Sequence, residues 1–189
     1  MQTVFLSFPV RFMFSPDAAP LDRKINLAQV ATQKTRHECR YIDDFMSGQK
    51  VPRSAHDKTG GIVYFARMLD KIRLHGAGIL HNDYHKNLGR GFDGRCVRFL
   101  GVEYEALRVR VQQDGTDEEI LAWCFTQGWR PNEEEILVWN SFMRKRGWKD
   151  EEDGSTQELE KYKAGSGLAH RMDIATLFDY YEVDEGRRR

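Results

Sequence analysis

The chain has 189 residues, which is long enough for one domain with a sizeable hydrophobic core. Its 29 lysines and arginines balance 29 aspartates and glutamates, so the overall charge does not favour a nucleic-acid-binding protein. Cys39, Cys96 and Cys124 lie far apart, which argues against a disulfide framework and is typical of free thiols in a reducing cytoplasm. No apolar run approaches the roughly 20 residues that span a bilayer, so the sequence predicts a cytoplasmic protein with no membrane partner.

The character of the sequence changes near Met46. Residues 1–45 contain Pro16 and Pro20 close together, carry charges of both signs and show no sustained apolar period. Such composition is typical of a disordered or loosely attached segment, and a translation start at Met46 would leave this segment out of the protein. The sequence therefore predicts a loose extension over 1–45 and a single helical domain over 46–189.

The first core helix is predicted after residue 60, because apolar residues recur there at spacings of three and four. These residues are Ile62, Phe65, Leu69 and Ile72. The stripe ends before Gly76, a residue that favours the end of a helix. The charged side chains of Arg67, Asp70 and Lys71 are expected on the exposed face of this helix, in surface pairs of little energetic value.

The next part of the chain is predicted to be a long polar loop followed by two helices. Residues 81–94 are polar and rich in glycine, which is typical of an ordered loop. A second helix is predicted from about Asp93 to Leu100, with Gly101 as its stop. A third helix is predicted over about 103–113.

Two further helices begin at a recognisable cap. Thr116 precedes Glu119 by three residues, and Asn132 precedes Glu135 by the same spacing. In each case the first side chain can accept a hydrogen bond from a free backbone N–H, and the glutamate lies near the positive end of the helix dipole. The spacing predicts a helix after each cap.

The C-terminal part is predicted to contain a short helix from Ser155 or Thr156 through Tyr162. A final amphipathic helix is predicted around residues 174–181, with Asp173 as its cap. No alternating run is long enough to predict a sheet. The sequence thus predicts an all-α protein, an irregular bundle of about six helices with a long polar, glycine-rich loop after the first core helix.

Chemically suggestive residues are concentrated between 81 and 95. Residues 89–94 match the pattern G-x-G-x-x-G, but the dinucleotide fingerprint needs a buried strand before it, and here the preceding residues are polar. A glycine-rich turn that enters a helix can also bind an anion through its backbone N–H groups. The candidate residues for such an anion site are Lys86, Arg90, Gly91, Gly94 and Arg95.

The same stretch offers two other kinds of site. Imidazole and carboxylate groups suit zinc, manganese or iron, so His81, Asp83 and His85 are candidate metal ligands. The group of His85, Asp83 and Tyr84 could instead act as an acid, a base or a ligand in a hydrolase or phosphotransfer enzyme. Both alternatives need these side chains to converge in a water-restricted pocket.

Several separated blocks of the sequence, in order, resemble a known family. The blocks are Thr59–Gly61, Ala66–Arg73, Phe99–Val102, Glu118–Trp123, Leu177–Asp179 and Asp184–Arg187. In them the chain is similar to the bacterial family DUF5069, a domain of unknown function, over about Lys58 to Arg187. The resemblance implies a small, mainly helical, cytosolic domain, and it assigns no catalytic residue.

Two functional hypotheses from different classes follow from the sequence. The first is a small binding or interaction protein that receives an anionic small molecule in the 81–95 stretch, or that associates with itself or with a protein partner. The alternative is an enzyme of the hydrolase or phosphotransfer type that uses His85, Asp83 and Tyr84, with or without a metal. A structure in which these side chains converge would favour the enzyme.

Overall fold

The computed structural model of the protein describes residues 48–189, so the predicted extension over 1–45 lies outside the described residues. The described residues form two short strands and seven α-helices. In chain order these are β1 (Lys58–Thr59), β2 (Ile62–Val63), α1 (Phe65–Gly76), α2 (Phe92–Leu100), α3 (Tyr104–Val111), α4 (Asp117–Gln127), α5 (Glu133–Lys145), α6 (Ser155–Gly165) and α7 (Leu177–Asp184), with a 3₁₀ helix over Asn82–Asn87 between α1 and α2. The predicted all-α class is confirmed. None of these helices is long and apolar enough to cross a membrane.

The first core helix begins later than predicted. Ile62 lies in β2, which pairs antiparallel with β1 in a small hairpin. Gly60 and Gly61 form the two-residue turn, and both have positive φ angles, of 54° and 83°, as a tight hairpin turn requires. Tyr64 also has a left-handed backbone with φ 72°, so α1 starts at Phe65. The three-and-four spacing that includes Ile62 is therefore helical only from Phe65 onward.

The stretch predicted to be an ordered loop contains helical structure. Its first half is the 3₁₀ helix, which begins where the Nδ1 atom of His81 accepts a hydrogen bond from the backbone N–H of Asp83. Helix α2 begins at Phe92, close to the predicted start. It ends as predicted at Gly101, whose φ of 68° is the left-handed conformation that favours glycine.

The two predicted capping boxes are present. Thr116 and Asn132 each accept from the backbone N–H three residues ahead, and the glutamates at those positions accept from the cap backbone in return. The predicted cap of the last helix is wrong. Helix α7 starts at Leu177 with Thr176 as its cap, whereas Asp173 precedes the helix and pairs with Arg171.

Two hydrophobic clusters hold the described residues together. The larger one joins the hairpin and helices α1 to α5, and it includes Phe178 of α7. The smaller one lies at the C-terminal side and consists of Leu159, Leu168, Ile174, Leu177, Tyr180 and Val183. Phe92 and Tyr181 pack against both clusters. The beginning of α2 and the middle of α7 are therefore the places where the two clusters meet.

Arg67 and Lys71 do not lie on an exposed face of α1, so the prediction of weak surface pairs is wrong for them. Arg67 is 2% exposed and Lys71 is 3% exposed. Asp70 lies at an intermediate position, where it accepts a hydrogen bond from the backbone N–H of Arg53. The two buried cations point into the protein because acidic partners far away in the sequence receive them.

Gly128 allows the chain after α4 to lie directly against the turn after α2. A Cβ added to Gly128 would overlap the carbonyl oxygen of Leu100 and lie 2.7 Å from that of Gly101. The neighbouring Trp129 N–H donates to the same Leu100 oxygen at 3.1 Å, which keeps the two backbones together. The gap is thus too narrow for any side chain.

We expect Gly128→Ala to lower the free energy of unfolding, because the backbone must move to admit the methyl group. The expected loss is near the upper end of the range of about 1–3 kcal/mol. Urea denaturation measures this change. Gly76→Ala is the matched control, since its added Cβ would meet only Gln112, at an ordinary 3.7 Å. Equal denaturation midpoints for the two variants would show that the approach at Gly128 is not tight.

Candidate functional site

A cleft of about 340 Å³ lies between the 3₁₀ helix, α1, the beginning of α2, α6 and α7. We call it the tyrosine cleft, because five of the seven tyrosines of the chain line it. These are Tyr64, Tyr84, Tyr162, Tyr180 and Tyr181. The basic side chains at its walls are Arg67, Lys71, Lys86, Arg90, Arg95, Arg146 and Lys161, and the acidic ones are Asp83, Glu158, Asp184 and Glu185. Cations therefore outnumber carboxylates in the cleft.

The tyrosines give the cleft an aromatic wall of neutral hydroxyl groups. Tyr162 and Tyr180 stack with ring centroids 5.6 Å apart, and the Tyr180 hydroxyl lies 2.6 Å from the Ser166 hydroxyl. Burial raises the pKa of Tyr64, Tyr162 and Tyr181 above the ordinary value for tyrosine. These side chains are consequently protonated at neutral pH, and they offer hydrogen bonds and ring faces without adding charge.

Arg67 forms the deepest ion pair at the cleft. Its guanidinium group pairs with the carboxylate of Glu185, and the two side chains are 2% and 1% exposed. It also donates to the backbone carbonyl oxygen of Arg53 at 2.7 Å, and it lies 5.0 Å from the centre of the Tyr181 ring. The hydroxyl of Tyr84 donates to Glu185 at 2.7 Å. Almost every polar atom of the two side chains thus takes part in a hydrogen bond or an ion pair.

The pair keeps a carboxylate charged inside the protein. Burial alone raises the pKa of Glu185, but the charge of Arg67 and its hydrogen bonds outweigh that effect and hold the pKa below its ordinary value. The negative charge of Glu185 is therefore cancelled by Arg67 and does not repel an anion in the cleft.

A second buried ion pair lies beside the first. The Lys71 ammonium group is 2.5 Å from the carboxylate of Asp93, which is fully buried at the start of α2. The same carboxylate accepts from the Tyr64 hydroxyl at 3.0 Å and from the backbone N–H of Gly89 at 3.2 Å. Burial lowers the pKa of Lys71, against the opposing effect of Asp93. This network fixes the floor of the cleft and holds the turn before α2 against α1.

Three cations of the cleft have no such partner. Lys86, Arg90 and Lys161 are exposed, and none of them forms an ion pair with another residue in the range 48–189. Arg95 and Arg146, by contrast, both pair with Asp153. Among the described residues, no ion pair therefore compensates the positive charge of the first three side chains.

Four of the five predicted anion-binding residues line the cleft: Lys86, Arg90, Gly91 and Arg95. Gly94 does not. Its backbone N–H donates to the carbonyl oxygen of Arg90 within the first turn of α2, at 3.4 Å. An added Cβ would lie 3.0 Å from the carbonyl oxygen of Gly89, so Gly94 lets this turn fold back closely onto the helix.

The structure does not bring His85 together with the other predicted catalytic and metal-binding residues. Asp83 and Tyr84 line the cleft, but the Nε2 atom of His85 lies 3.1 Å from the carbonyl oxygen of Leu80 and outside the cleft lining. His81 is close to Asp83, with 3.9 Å between Nδ1 and the carboxylate. Within residues 48–189 no group of three or more His, Cys, Asp or Glu side chains is placed to hold a metal ion. The convergence that would favour the enzyme hypothesis is not observed in this part of the chain.

Sequence reasoning missed half of the cleft. Helices α6 and α7 and the residue after α7 supply lining residues that all come at least 60 residues after the 81–95 stretch: Lys161, Tyr162, Tyr180, Tyr181 and Glu185. A usable signal was present in the composition, because three of the seven tyrosines of the chain lie between residues 162 and 181, among basic residues. Helical periodicity explains those tyrosines equally well as core residues.

Comparison with known protein families gives a match over most of the chain. The model of a family described as a domain of unknown function, DUF5069, matches residues 49–187. The matched range contains every residue of the tyrosine cleft and both buried ion pairs. No curated protein is similar to the sequence at a significant level.

Proposed function

The chain belongs to the DUF5069 family of domains of unknown function, and we propose that it binds a small organic anion in the tyrosine cleft. The ligand carries a phosphate or carboxylate group and a body that packs against the tyrosine rings. The observation that carries this proposal is the set of three exposed cations, Lys86, Arg90 and Lys161, that line a cleft and have no counter-ion among the described residues.

The charge of the cleft supports an anionic ligand. Seven basic side chains and four carboxylates line it, and the carboxylate of Glu185 is paired with Arg67. The free cations lie on two separate elements, since Lys86 and Arg90 flank the end of the 3₁₀ helix and Lys161 lies on α6. An anion between them would be held from both sides by charge-assisted hydrogen bonds.

The tyrosine wall supports an organic ligand rather than a bare inorganic ion. Ring faces provide apolar contact area, and neutral hydroxyl groups provide hydrogen bonds that orient a polar body. A volume of about 340 Å³ is near the lower end of ligand cavities, so the cleft suits a small metabolite. The hydrogen bonds of Tyr180 and Tyr84 hold their side chains in place before a ligand arrives, which limits the entropic cost of binding.

Isothermal titration calorimetry tests this proposal with inorganic phosphate, a sugar phosphate, a nucleoside monophosphate and an aromatic carboxylate as probes. We expect at least one organic probe to bind more tightly than inorganic phosphate, with an affinity that falls as salt is added. Arg90→Ala should weaken its binding about tenfold, or ~1.4 kcal/mol, because one charge-assisted hydrogen bond is lost.

Two variants serve as controls. Lys145→Ala removes an exposed positive charge that does not line the cleft, and His85→Ala removes a side chain whose contacts are with Leu80 and His75. Neither should change the affinity. Equal weakening by Arg90→Ala and Lys145→Ala would mean that the probe senses only the overall charge, and absence of binding by every probe would contradict the proposal.

A further inference from the structure

A second surface of the protein is a groove between α2 and α5, which adjoins the proposed anion site at Arg95, a residue that lines both. It is open, has a volume of about 490 Å³ and is lined by Arg98 and Phe99 of α2 and by Glu134, Val138, Trp139 and Phe142 of α5. We call it the α2–α5 groove. The buried residues of α5 are Trp139, Asn140 and Met143, and of these Trp139 also reaches the groove.

The outer side of α5 is unusually apolar for a helix that faces solvent. Leu137 and Val138 are each 59% exposed, and Phe142 is 39% exposed. A surface helix normally presents charged and polar residues on the side away from the core. Contiguous apolar exposure of this kind marks a surface that another molecule covers.

The floor of the groove is rigid. Phe99 and Trp139 stack with ring centroids 4.5 Å apart and planes inclined by 10°. The indole N–H of Trp139 donates to the backbone carbonyl oxygen of Val63 at 3.2 Å, which fixes the ring. An occupant therefore finds a preorganised aromatic surface and does not have to order it on binding.

The two walls of the groove carry opposite charges. Arg98 lies on the α2 wall and Glu134 lies on the first turn of α5. Neither side chain forms an ion pair with another residue in the described range 48–189. A surface with one basic wall, one acidic wall and an apolar centre is complementary to itself. When two copies are related by a two-fold axis, the acidic wall of each faces the basic wall of the other.

We infer that the α2–α5 groove is the interface of a homodimer. Val138 and Phe142 of one protomer pack against the same residues of its partner, over the aromatic floor. Arg98 of each protomer then pairs with the acidic first turn of α5 in the other. This arrangement covers the exposed apolar side of α5 and supplies counter-ions for both Arg98 and Glu134. A partner whose surface carries charges of one sign could pair with only one of these two residues.

Sedimentation velocity of the full chain over a range of micromolar concentrations measures the association. We expect a concentration-dependent equilibrium between monomer and dimer. Val138→Asp should raise the dimer dissociation constant about tenfold or more, because it places a charge in the apolar centre. Val109→Asp is the matched control, since Val109 is 46% exposed on α3 and outside the groove. It should leave the dimer intact.

Charge reversal distinguishes this interface from any other dimer. Arg98→Glu and Glu134→Arg should each weaken the dimer, because like charges then meet across the two-fold axis. The double variant restores opposite charges between protomers and should recover most of the association. A chain that stays monomeric at every concentration would overturn the inference. So would a dimer that is insensitive to Val138→Asp, or a double variant no stronger than the single ones.

Discussion

Arg67→Met is expected to lower the free energy of unfolding by about 3–5 kcal/mol, because it leaves the buried carboxylate of Glu185 without its main partner. The carbonyl oxygens of Pro52 and Arg53 would also lose the donor that they share. Methionine keeps most of the apolar stem of the arginine, so the loss reports on charge rather than on volume. Urea denaturation at neutral pH, followed by tryptophan fluorescence, measures the change.

Two further variants distinguish the loss of charge pairing from the loss of packing. Arg108→Met breaks an exposed pair with Glu105 on α3 and should leave the denaturation midpoint unchanged. The double variant Arg67→Met with Glu185→Leu removes both charges and should be more stable than Arg67→Met alone. If the double variant were no more stable than the single one, the loss would come from packing around the arginine stem and not from an orphaned carboxylate.

The pH dependence of the same pair has a definite sign. Because the folded-state pKa of Glu185 is below its ordinary value, the pair contributes stability that is fully present above the unfolded-state pKa of about 4.3. This contribution is lost as the pH falls through the folded-state pKa. The difference in stability between the wild type and Arg67→Met should therefore shrink on the acid side. A difference that stays constant with pH would contradict this assignment.

Asp93→Ala is the second change with a large expected effect, a loss of about 3–5 kcal/mol in the free energy of unfolding. It leaves the buried ammonium group of Lys71 without a counter-charge. It also removes the acceptor of the Tyr64 hydroxyl and of the Gly89 backbone N–H. Two buried donors and one half-buried backbone N–H lose their shared acceptor group. We therefore expect a larger loss of stability than from any single change among the exposed cations of the cleft.

Alkaline pH provides the check for Asp93→Ala. The folded-state pKa of Lys71 is lowered by burial, and Asp93 supplies the charge that opposes this effect, so the variant has a still lower value. Between that pKa and the unfolded value of about 10.4 the unfolded chain binds more protons, and stability rises with pH. The slope should be steeper in Asp93→Ala than in the wild type. Adding Lys71→Met to both proteins should abolish this difference in slope. Parallel plots of stability against pH for the wild type and Asp93→Ala, both with Lys71 present, would contradict the buried pair.

The helices that could be predicted from the sequence are those whose signals are local. The capping boxes at Thr116 and Asn132 need only four consecutive residues, and the stop at Gly101 needs only one. The same spacing joins Thr176 to Asp179, whereas the prediction places the cap three residues too early, at Asp173. The hairpin was missed because two residues per strand show no alternation, and Ile62 fits the helical spacing by coincidence.

The site was only partly predictable because its contacts are distant in sequence. Lys86, Arg90 and Arg95 follow from a glycine-rich turn that enters a helix, which is a local pattern. The burial of Arg67 depends on Glu185, which no spacing rule connects to it. An arginine on a helix is assigned to the solvent face unless an acid from another element is known to receive it. Residues whose role depends on tertiary contacts were therefore the ones misplaced.

The pairing of Arg67 with Glu185 also has a consequence for folding during synthesis on the ribosome. Glu185 follows Arg67 by 118 residues, so at about 5–20 residues per second it is made roughly 6 to 24 s later. During that interval Arg67 on α1 lacks the carboxylate that pairs with it in the folded protein. We therefore expect the core to be completed only after residue 185 has been made, and until then the apolar helices remain exposed to chaperones and proteases.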